Sequence, residues 1–276
     1  MKTKYIELSD AKIAYREIGK GRPLIMCNRF RGTLDTWDPL FLSSMAEHFK
    51  VIIFDYPEIG YSTGKFPKDI TGLAKILHDI IQELGLNEVV LAGWSFGGFV
   101  VQAAALEYEG LASHLILIGS NPPGKNPHTF ESIFLEKALL PNYTLEDEII
   151  LFFEPESKFS VESGKVSHDR IYESIDVGKI PTAKEVFNMY FVAGDAYKED
   201  KEKLRKRLTE TGMPVLVLHG DHDVSFPIEN WFLLLRQMRN AQLVIFTKTG
   251  HGPQHQYPEL SSEYIADFVG NSFNID

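Results

Sequence analysis

The chain lacks several features that would place it in whole classes of protein. Cys27 is the one cysteine among 276 residues, so neither an intrachain disulfide nor a cluster of thiolate metal ligands can form. Acidic residues outnumber basic ones by 38 to 28, and a formal net charge of −10 leaves no cationic surplus for nucleic acid or an anionic membrane. No apolar run approaches the roughly 18 residues of a membrane span, and residues 1–16 carry charges throughout, unlike a signal peptide. We therefore expect a cytoplasmic protein with a small-molecule partner, no membrane insertion and no nucleic-acid partner.

The apolar residues that are present form short continuous runs, typical of parallel strands buried on both faces. Before them, two alternating segments at residues 5–8 and 12–18 predict an antiparallel hairpin. Between the runs lie helical patterns, the clearest being an apolar stripe through residues 70–84, with Asp69 as its N-cap and Gly85 as its stop. The predicted buried strands are residues 24–27, 51–54, 89–92, 115–118, 215–218 and 243–246.

Strand and helix alternate along most of the chain, which predicts an α/β fold with a mostly parallel, doubly wound sheet and an N-terminal antiparallel hairpin. In such a sheet the active site lies at the carboxyl ends of the strands. The alternation stops between residues 121 and 211, where aromatic-rich amphipathic segments predict a helical insertion. We therefore predict a core of residues 1–120 and 212–276, with residues 121–211 as a helical cap.

The strongest motif is Gly93-Trp94-Ser95-Phe96-Gly97-Gly98, between a predicted strand and a predicted helix. A sharp strand-to-helix turn of this kind holds a serine hydroxyl exposed beside a base, as a nucleophile requires. Its glycines leave room where side chains would clash. The spacing matches neither common nucleotide-binding glycine loop.

Two later segments share this motif's order and position. His219-Gly220-Asp221-His222-Asp223-Val224 follows one strand, and Gly250-His251-Gly252 follows the last. With the turn at Ser95, they make the chain resemble the α/β-hydrolase fold family, in particular its small capped esterases and lactonases. The resemblance covers nearly the whole chain outside the insertion, and it implies a serine nucleophile, an acid and a histidine in that chain order.

Ser95 is accordingly the predicted nucleophile and His251 the predicted general base. Asp221 and Asp223 share one loop, and both lie within plausible reach of His251. Similar family members place the acid at the second aspartate of such a stretch, which selects Asp223 and leaves Asp221 to brace the loop. A metal site built from this dense cluster of His and Asp residues is the less favoured interpretation.

The same resemblance implies an oxyanion hole formed by the backbone N–H groups of Phe96 and Phe30. The loop carrying Phe30 departs from the family pattern, because Asn28 replaces a histidine and Arg29 a glycine. Arg29 has two interpretations: a structural residue paired with an acidic neighbour such as Asp55, which we favour, or a cation that contacts a polar or anionic part of the substrate. Asp55 and Glu58 are interpreted as turn residues rather than an acid/base pair.

The prediction for function is therefore a serine hydrolase that cleaves a carboxylic ester or lactone through an acyl-enzyme, without cofactor or metal. Two alternatives stay open: other chemistry on the same residues, such as perhydrolysis, acyl transfer or carbon–carbon bond hydrolysis, or a ligand-binding sensor with a vestigial site. Several aromatic residues of the insertion either line an acyl pocket or pack against the core, and packing is favoured for most of them. They are Phe130, Phe134, Phe152, Phe153, Phe187, Tyr190 and Phe191.

Overall fold

The computed structural model describes residues 1–271, which form one eight-stranded sheet in the order β1-β2-β4-β3-β5-β6-β7-β8. The strands are β1 Lys4–Glu7, β2 Lys12–Ile18, β3 Pro23–Cys27, β4 Lys50–Phe54, β5 Val89–Trp94, β6 Ala112–Ile118, β7 Val215–Gly220 and β8 Ala241–Phe246. The first two pair antiparallel with each other, β2 pairs antiparallel with β4, and every other pairing is parallel. The predicted fold class is confirmed.

The central strands are buried on both faces, as continuous apolar runs require. One expectation is wrong, because β8 is mostly half-exposed rather than buried. It lies at the edge of the sheet and pairs only with β7, so its other edge has no neighbouring strand.

Eleven α-helices accompany the strands within residues 1–271. They are α1 Pro39–Ala46, α2 Ile70–Glu83, α3 Phe96–Glu107, α4 Ser132–Ala138, α5 Leu145–Phe152, α6 Lys158–Tyr172, α7 Lys184–Glu199, α8 Leu204–Glu210, α9 Glu229–Phe232, α10 Pro253–Gln256 and α11 Pro258–Gly270. The side chain of Asp69 accepts a hydrogen bond from Gly72 N–H at the start of α2, and Gly85 follows its end with a φ of +60°. Both predicted boundaries of this helix are therefore confirmed.

The apolar side chains form two clusters, one on each face of the sheet. Helices α2 and α3 contribute to the first cluster, whereas α1 and α11 contribute to the second. Burial of these opposed apolar faces, at about 25 cal/mol per Å² removed from water, is the main force that stabilises such a sheet. The sheet therefore forms a rigid platform for the loops at its carboxyl edge.

The segment between β6 and β7 carries the five helices α4 to α8 and a short 3-10 helix, Val177–Lys179. We call residues 121–211 the inserted segment. Arg31 connects this segment to the loop after β3: its guanidinium donates hydrogen bonds to carbonyl oxygens of the inserted segment, those of Ala138, Leu140, Pro141 and Pro181. Across residues 1–271, no helix combines the length and the apolar character needed to cross a membrane.

Candidate active site

Ser95 occupies a strained turn between β5 and α3, with φ of +59° and ψ of −121°. Its backbone N–H donates to the carbonyl of Ile118 at 2.8 Å, and its carbonyl accepts from the hydroxyl of Ser120 at 2.8 Å. A Cβ atom on Gly93 would collide with the backbone of Gly97, and one on Gly97 would collide with the carbonyl of Cys27. Both glycines of the motif are therefore required by close backbone contacts around the serine.

His251 and Asp223 meet at the same edge of the sheet. The Nδ1 atom of His251 lies 2.7 Å from Oδ2 of Asp223, and both side chains are almost fully buried. The other carboxylate oxygen of Asp223 accepts from the backbone N–H groups of Ser225 and Phe226, at 2.8 and 2.9 Å. Burial raises the pKa of Asp223, but the facing His251 and these hydrogen bonds outweigh it and hold that pKa below its usual value. Asp223 is therefore ionised at neutral pH.

Three residues to which the sequence analysis gave no role of their own lie against the backbone of His251 or of Ser95. Gly119, directly after β6, has φ of +48°, and a Cβ there would lie 2.6 Å from the carbonyl oxygen of His251. The indole N–H of Trp94 donates to that same carbonyl at 2.8 Å. Ser120 supports the carbonyl of Ser95. For Gly119 and Ser120, the signal available in the sequence was a Gly-Ser pair directly after an apolar run.

Ser95 and His251 line one small cavity of about 20 Å³, enough for roughly one water molecule. No direct hydrogen bond joins their side chains within residues 1–271, and in sites without substrate such contacts are often long and tighten in the reactive complex. A second, large cavity of about 280 Å³ lies alongside, and Arg29, Tyr143 and Phe152 line both cavities. These three side chains therefore lie between the two adjacent cavities.

The comparison with known proteins covers most of the chain. The family model described as "alpha/beta hydrolase fold" matches residues 22–258. The chain belongs to this family. The "Uncharacterized hydrolase YugF" of Bacillus subtilis is 28% identical over 236 residues, 82% of each chain. The pimeloyl-[acyl-carrier protein] methyl ester esterase of Pseudoalteromonas atlantica is 25% identical over 93% of this chain and 96% of its own. A solved α/β-hydrolase fold protein from Chitinophaga pinensis superimposes with a TM-score of 0.85, at 27% identity and 98% coverage of both chains.

The resemblance recognised in the sequence is thus confirmed for the family and the fold. Membership in the family implies a hydrolase with a small-molecule substrate. It does not define which bond is cleaved, because this fold supports many reactions. That question depends on the residues around Ser95.

The loop after β3 lies against the start of α3, as the α/β-hydrolase resemblance implies. A Cβ on Gly97 would reach the backbone of both Cys27 and Asn28. Phe30 lines the small cavity with Ser95, and Phe96 is the first residue of α3. Within the described chain, neither backbone N–H has a hydrogen-bond acceptor. Both donors are therefore free to bind an oxygen at this edge.

The two departures from the family pattern in this loop have different roles. Asn28 braces the loop: its amide donates to the carbonyl of Thr33 at 2.8 Å and to the hydroxyl of Thr36 at 3.0 Å, and its oxygen accepts from Arg29 N–H. The ion pair expected in the favoured interpretation of Arg29 is wrong. Within residues 1–271 no carboxylate lies within 4.0 Å of its guanidinium, which donates to the carbonyl of Phe30, and Asp55 instead accepts from the backbone N–H groups of Leu34 and Tyr61.

Asp55 and Glu58 act as turn residues in the structure. Burial raises the pKa of Asp55 to about 7, and the two backbone donors fix its carboxyl group. Glu58 accepts from Phe66 N–H at 3.0 Å. These two side chains therefore bind different backbone segments and do not form an acid/base pair.

The remaining His and Asp residues near the site point to different partners. His219 is fully buried with its Nδ1 facing the carbonyl of Gly220, and burial lowers its pKa, so it is neutral. Asp221 accepts from Thr249 N–H at 3.3 Å, and His222 contacts Glu154. Among residues 1–271, no three His, Cys, Asp or Glu side chains are grouped to hold a metal ion.

The aromatic residues of the inserted segment divide between the cavities and the packing. Phe134 and Phe152 line the small cavity, and Phe152 and Phe153 line the large one. Three others surround the ring of Phe30, with centroid distances of 5.2 to 5.6 Å; they are Phe187, Tyr190 and Phe191. Phe130 is partly exposed and packs on Phe134. Some aromatic residues of the inserted segment therefore line the cavities, and the others pack against the core or against each other.

Proposed function

We propose that this protein is a serine hydrolase that cleaves a carboxylic ester through an acyl-enzyme intermediate. Ser95 is the nucleophile, His251 the general base and Asp223 the residue that orients the histidine. The observation that carries the proposal is the 2.7 Å contact between Asp223 Oδ2 and His251 Nδ1, formed beside a serine in a strained strand-to-helix turn. A buried, ionised aspartate at Nδ1 fixes the tautomer in which Nε2 accepts a proton.

The reaction proceeds in two steps. Ser95 Oγ attacks the ester carbonyl while His251 Nε2 takes its proton and then passes it to the leaving alcohol. Water, deprotonated by the same histidine, then attacks the acyl-enzyme; the bond between the acyl carbon and Ser95 Oγ breaks, His251 returns the proton to Ser95 Oγ, and the acid is released. Asp223 stays ionised throughout and stabilises the imidazolium formed in each step. The covalent acyl-enzyme replaces one difficult displacement by two easier ones.

The negative oxygen that develops in each step requires preorganised donors. The backbone N–H groups of Phe30 and Phe96 supply them in this proposal, and the start of α3 adds the positive end of a helix dipole. The free state of both N–H groups supports this role. A donor of this kind typically contributes about 10²- to 10³-fold to kcat.

In the same proposal the inserted segment acts as a cap over the strand ends. Its residues Phe134, Tyr143 and Phe152 line the small cavity opposite Ser95, which supports this assignment. A cap that excludes water strengthens the electrostatic contacts in the site and limits which acyl groups enter.

The test is hydrolysis of p-nitrophenyl esters of increasing acyl length by the native protein and by Ser95→Ala. We expect turnover by the native protein and a loss of kcat of about 10³-fold or more in the variant. A variant that retains ester hydrolysis would disprove the assignment of Ser95.

Product analysis and binding distinguish the alternatives. A peracid formed from hydrogen peroxide would identify a perhydrolase, and an ester formed with an added alcohol would identify an acyltransferase. Cleavage of a carbon–carbon bond would identify a carbon–carbon bond hydrolase. Each of these reactions would use the same three residues. Stoichiometric ligand binding with no turnover across the ester panel would instead identify a sensor with a vestigial site.

A further inference from the structure

Arg29 is a cation that lines both the small and the large cavity. Its guanidinium lies over the rings of Phe152 and Trp94, with centroid distances of 4.4 and 5.3 Å. The Nη1 atom donates to the carbonyl of Phe30 at 2.8 Å, and the buried Nε atom has no hydrogen-bond partner within residues 1–271. The edge of the guanidinium that carries Nε is thus free to donate.

The other charged groups on the cavity walls are already satisfied. The nitrogens of Arg31 donate to backbone carbonyls of the inserted segment. Glu148 accepts from the hydroxyl of Tyr172 at 3.0 Å and lies 2.7 Å from His168 Nδ1. His255 is buried and its pKa falls to about 4, so it carries no charge at neutral pH. Arg29 is therefore the cation with unused donors in this part of the described chain.

A buried donor without a partner costs free energy, since water no longer solvates it. Burial lowers the pKa of Arg29, but a guanidinium stays protonated in proteins. The Nε edge of a guanidinium presents two parallel N–H groups, which match the two oxygens of a carboxylate. The cost of burying this edge is offset when such a group binds there.

We propose that the substrate carries a carboxylate a few bonds from the scissile carbonyl, and that Arg29 binds this carboxylate in the large cavity while Ser95 attacks the carbonyl in the small one. The inference rests on the proposed serine hydrolysis and names the substrate class: half-esters of short dicarboxylic acids. A cavity of about 280 Å³, close to the lower end of the range of about 300–1,000 Å³ for ligand pockets, accommodates a short dicarboxylic acyl chain. Arg29 is then a specificity-determining residue.

The experiment compares mono-p-nitrophenyl glutarate with p-nitrophenyl valerate, an acyl chain of the same length without the charge. In the native protein we expect kcat/KM to be about 10-fold or more higher for the glutarate ester. Arg29→Gln should lower the preference for the glutarate ester over the valerate ester, measured as the ratio of their kcat/KM values, by about 10-fold or more, mainly through KM for the glutarate ester. Arg29→Lys keeps the charge and should recover part of the loss.

Further measurements separate this inference from the proposed function. Ser95-dependent hydrolysis of both esters at equal efficiency would overturn the role of Arg29 and leave the serine mechanism standing. If neither ester is cleaved, glutarate binding by calorimetry decides: binding to the native protein that is lost in Arg29→Gln supports the anion site, and no binding to the native protein overturns it. If Arg29→Gln fails to fold, glutarate inhibition of native protein and Arg29→Lys replaces that comparison, and an unchanged inhibition constant contradicts the proposal.

Discussion

At the scale of single residues, the loop after β7 contains two aspartates two positions apart in different environments. Asp223 is buried with three hydrogen-bond partners, His251 among them, whereas Asp221 is exposed and caps the backbone of Thr249. The sequence alone places both on the same loop and cannot give the direction of either side chain. The family resemblance selected Asp223, the aspartate that the structure brings to His251.

Asp223→Asn should therefore abolish most activity while preserving the fold. An amide in place of the carboxylate favours the wrong histidine tautomer and cannot stabilise the imidazolium, so we expect kcat to fall by about 10³- to 10⁴-fold. Steady-state ester hydrolysis measures this loss. Asp221→Asn is the matched control and should stay within a few-fold of the native rate; equal losses in both variants would contradict the assignment.

His255 gives the protein a predictable sensitivity to acid. It is buried between Trp94, at a centroid distance of 4.7 Å, and the N-terminal end of α1. Burial lowers its pKa from 6.5 to about 4 in the folded protein. As the pH falls through this interval, the unfolded chain binds a proton that the folded protein excludes, so stability is present above about pH 6.5 and is lost toward about pH 4.

His255→Gln should remove this part of the pH dependence. From a pKa difference of about 2.5, the native protein should lose on the order of 3 kcal/mol of unfolding free energy over that interval from this group alone. Urea unfolding at about pH 7 and about pH 4.5 should show a smaller loss for the variant. His48→Gln, at an exposed position, should lose as much as the native protein; the same acid loss in His255→Gln would refute the role of His255.

At the scale of elements, the buried strands and α2 were predictable because their signals are local. Apolar runs, an N-cap at Asp69 and a stop at Gly85 act within a few residues of each other. The half-exposed β8 was not predictable, because its position at the sheet edge is a property of the whole strand order. The need for glycine at position 119 depends on His251, which lies 132 positions later in the sequence and contacts it only in the folded sheet.

Gly119→Ala tests how strictly the end of β6 is matched to the loop that carries His251. Alanine at φ of +48° is strained by about 1–2 kcal/mol, and its Cβ would force the backbone of His251 away. A displacement near 1 Å typically lowers catalysis by about 10²-fold. Ester hydrolysis and thermal unfolding measure the two effects separately.

Gly110→Ala provides a control matched in backbone strain. Gly110 has φ of +77°, but nothing lies within 4 Å of the position of its Cβ. We expect a similar loss of stability with activity near the native level. Equal activity in the two alanine variants would show that the close approach of Gly119 to His251 does not affect catalysis.

At the scale of the whole molecule, polar contacts join the inserted segment to the core at several places. Asp38, at the start of α1, is fully buried and accepts from Arg170 and Ser167 on α6. Burial raises the pKa of Asp38, but the hydrogen bond from Arg170 and the other neighbours outweigh it and keep the group ionised. Ser167 and Arg170 lie 129 and 132 positions after Asp38 in the sequence, so no local pattern could have predicted these contacts.

Arg170→Ala should loosen the inserted segment from the core. Removing one partner of a buried ion pair leaves the other charge uncompensated, so we expect a loss of about 3 kcal/mol or more. Because α6 belongs to the inserted segment, limited proteolysis should cut within residues 121–211 faster than in the native protein.

Lys165→Ala, which removes an exposed pair with Glu162 on the same helix, should cost no more than about 0.5 kcal/mol and leave the cleavage pattern unchanged. If both variants are cut at the native rate, the Asp38 contact does not hold the segment in place, and its other contacts with the core, Arg31 and the packing around Phe30 among them, are sufficient.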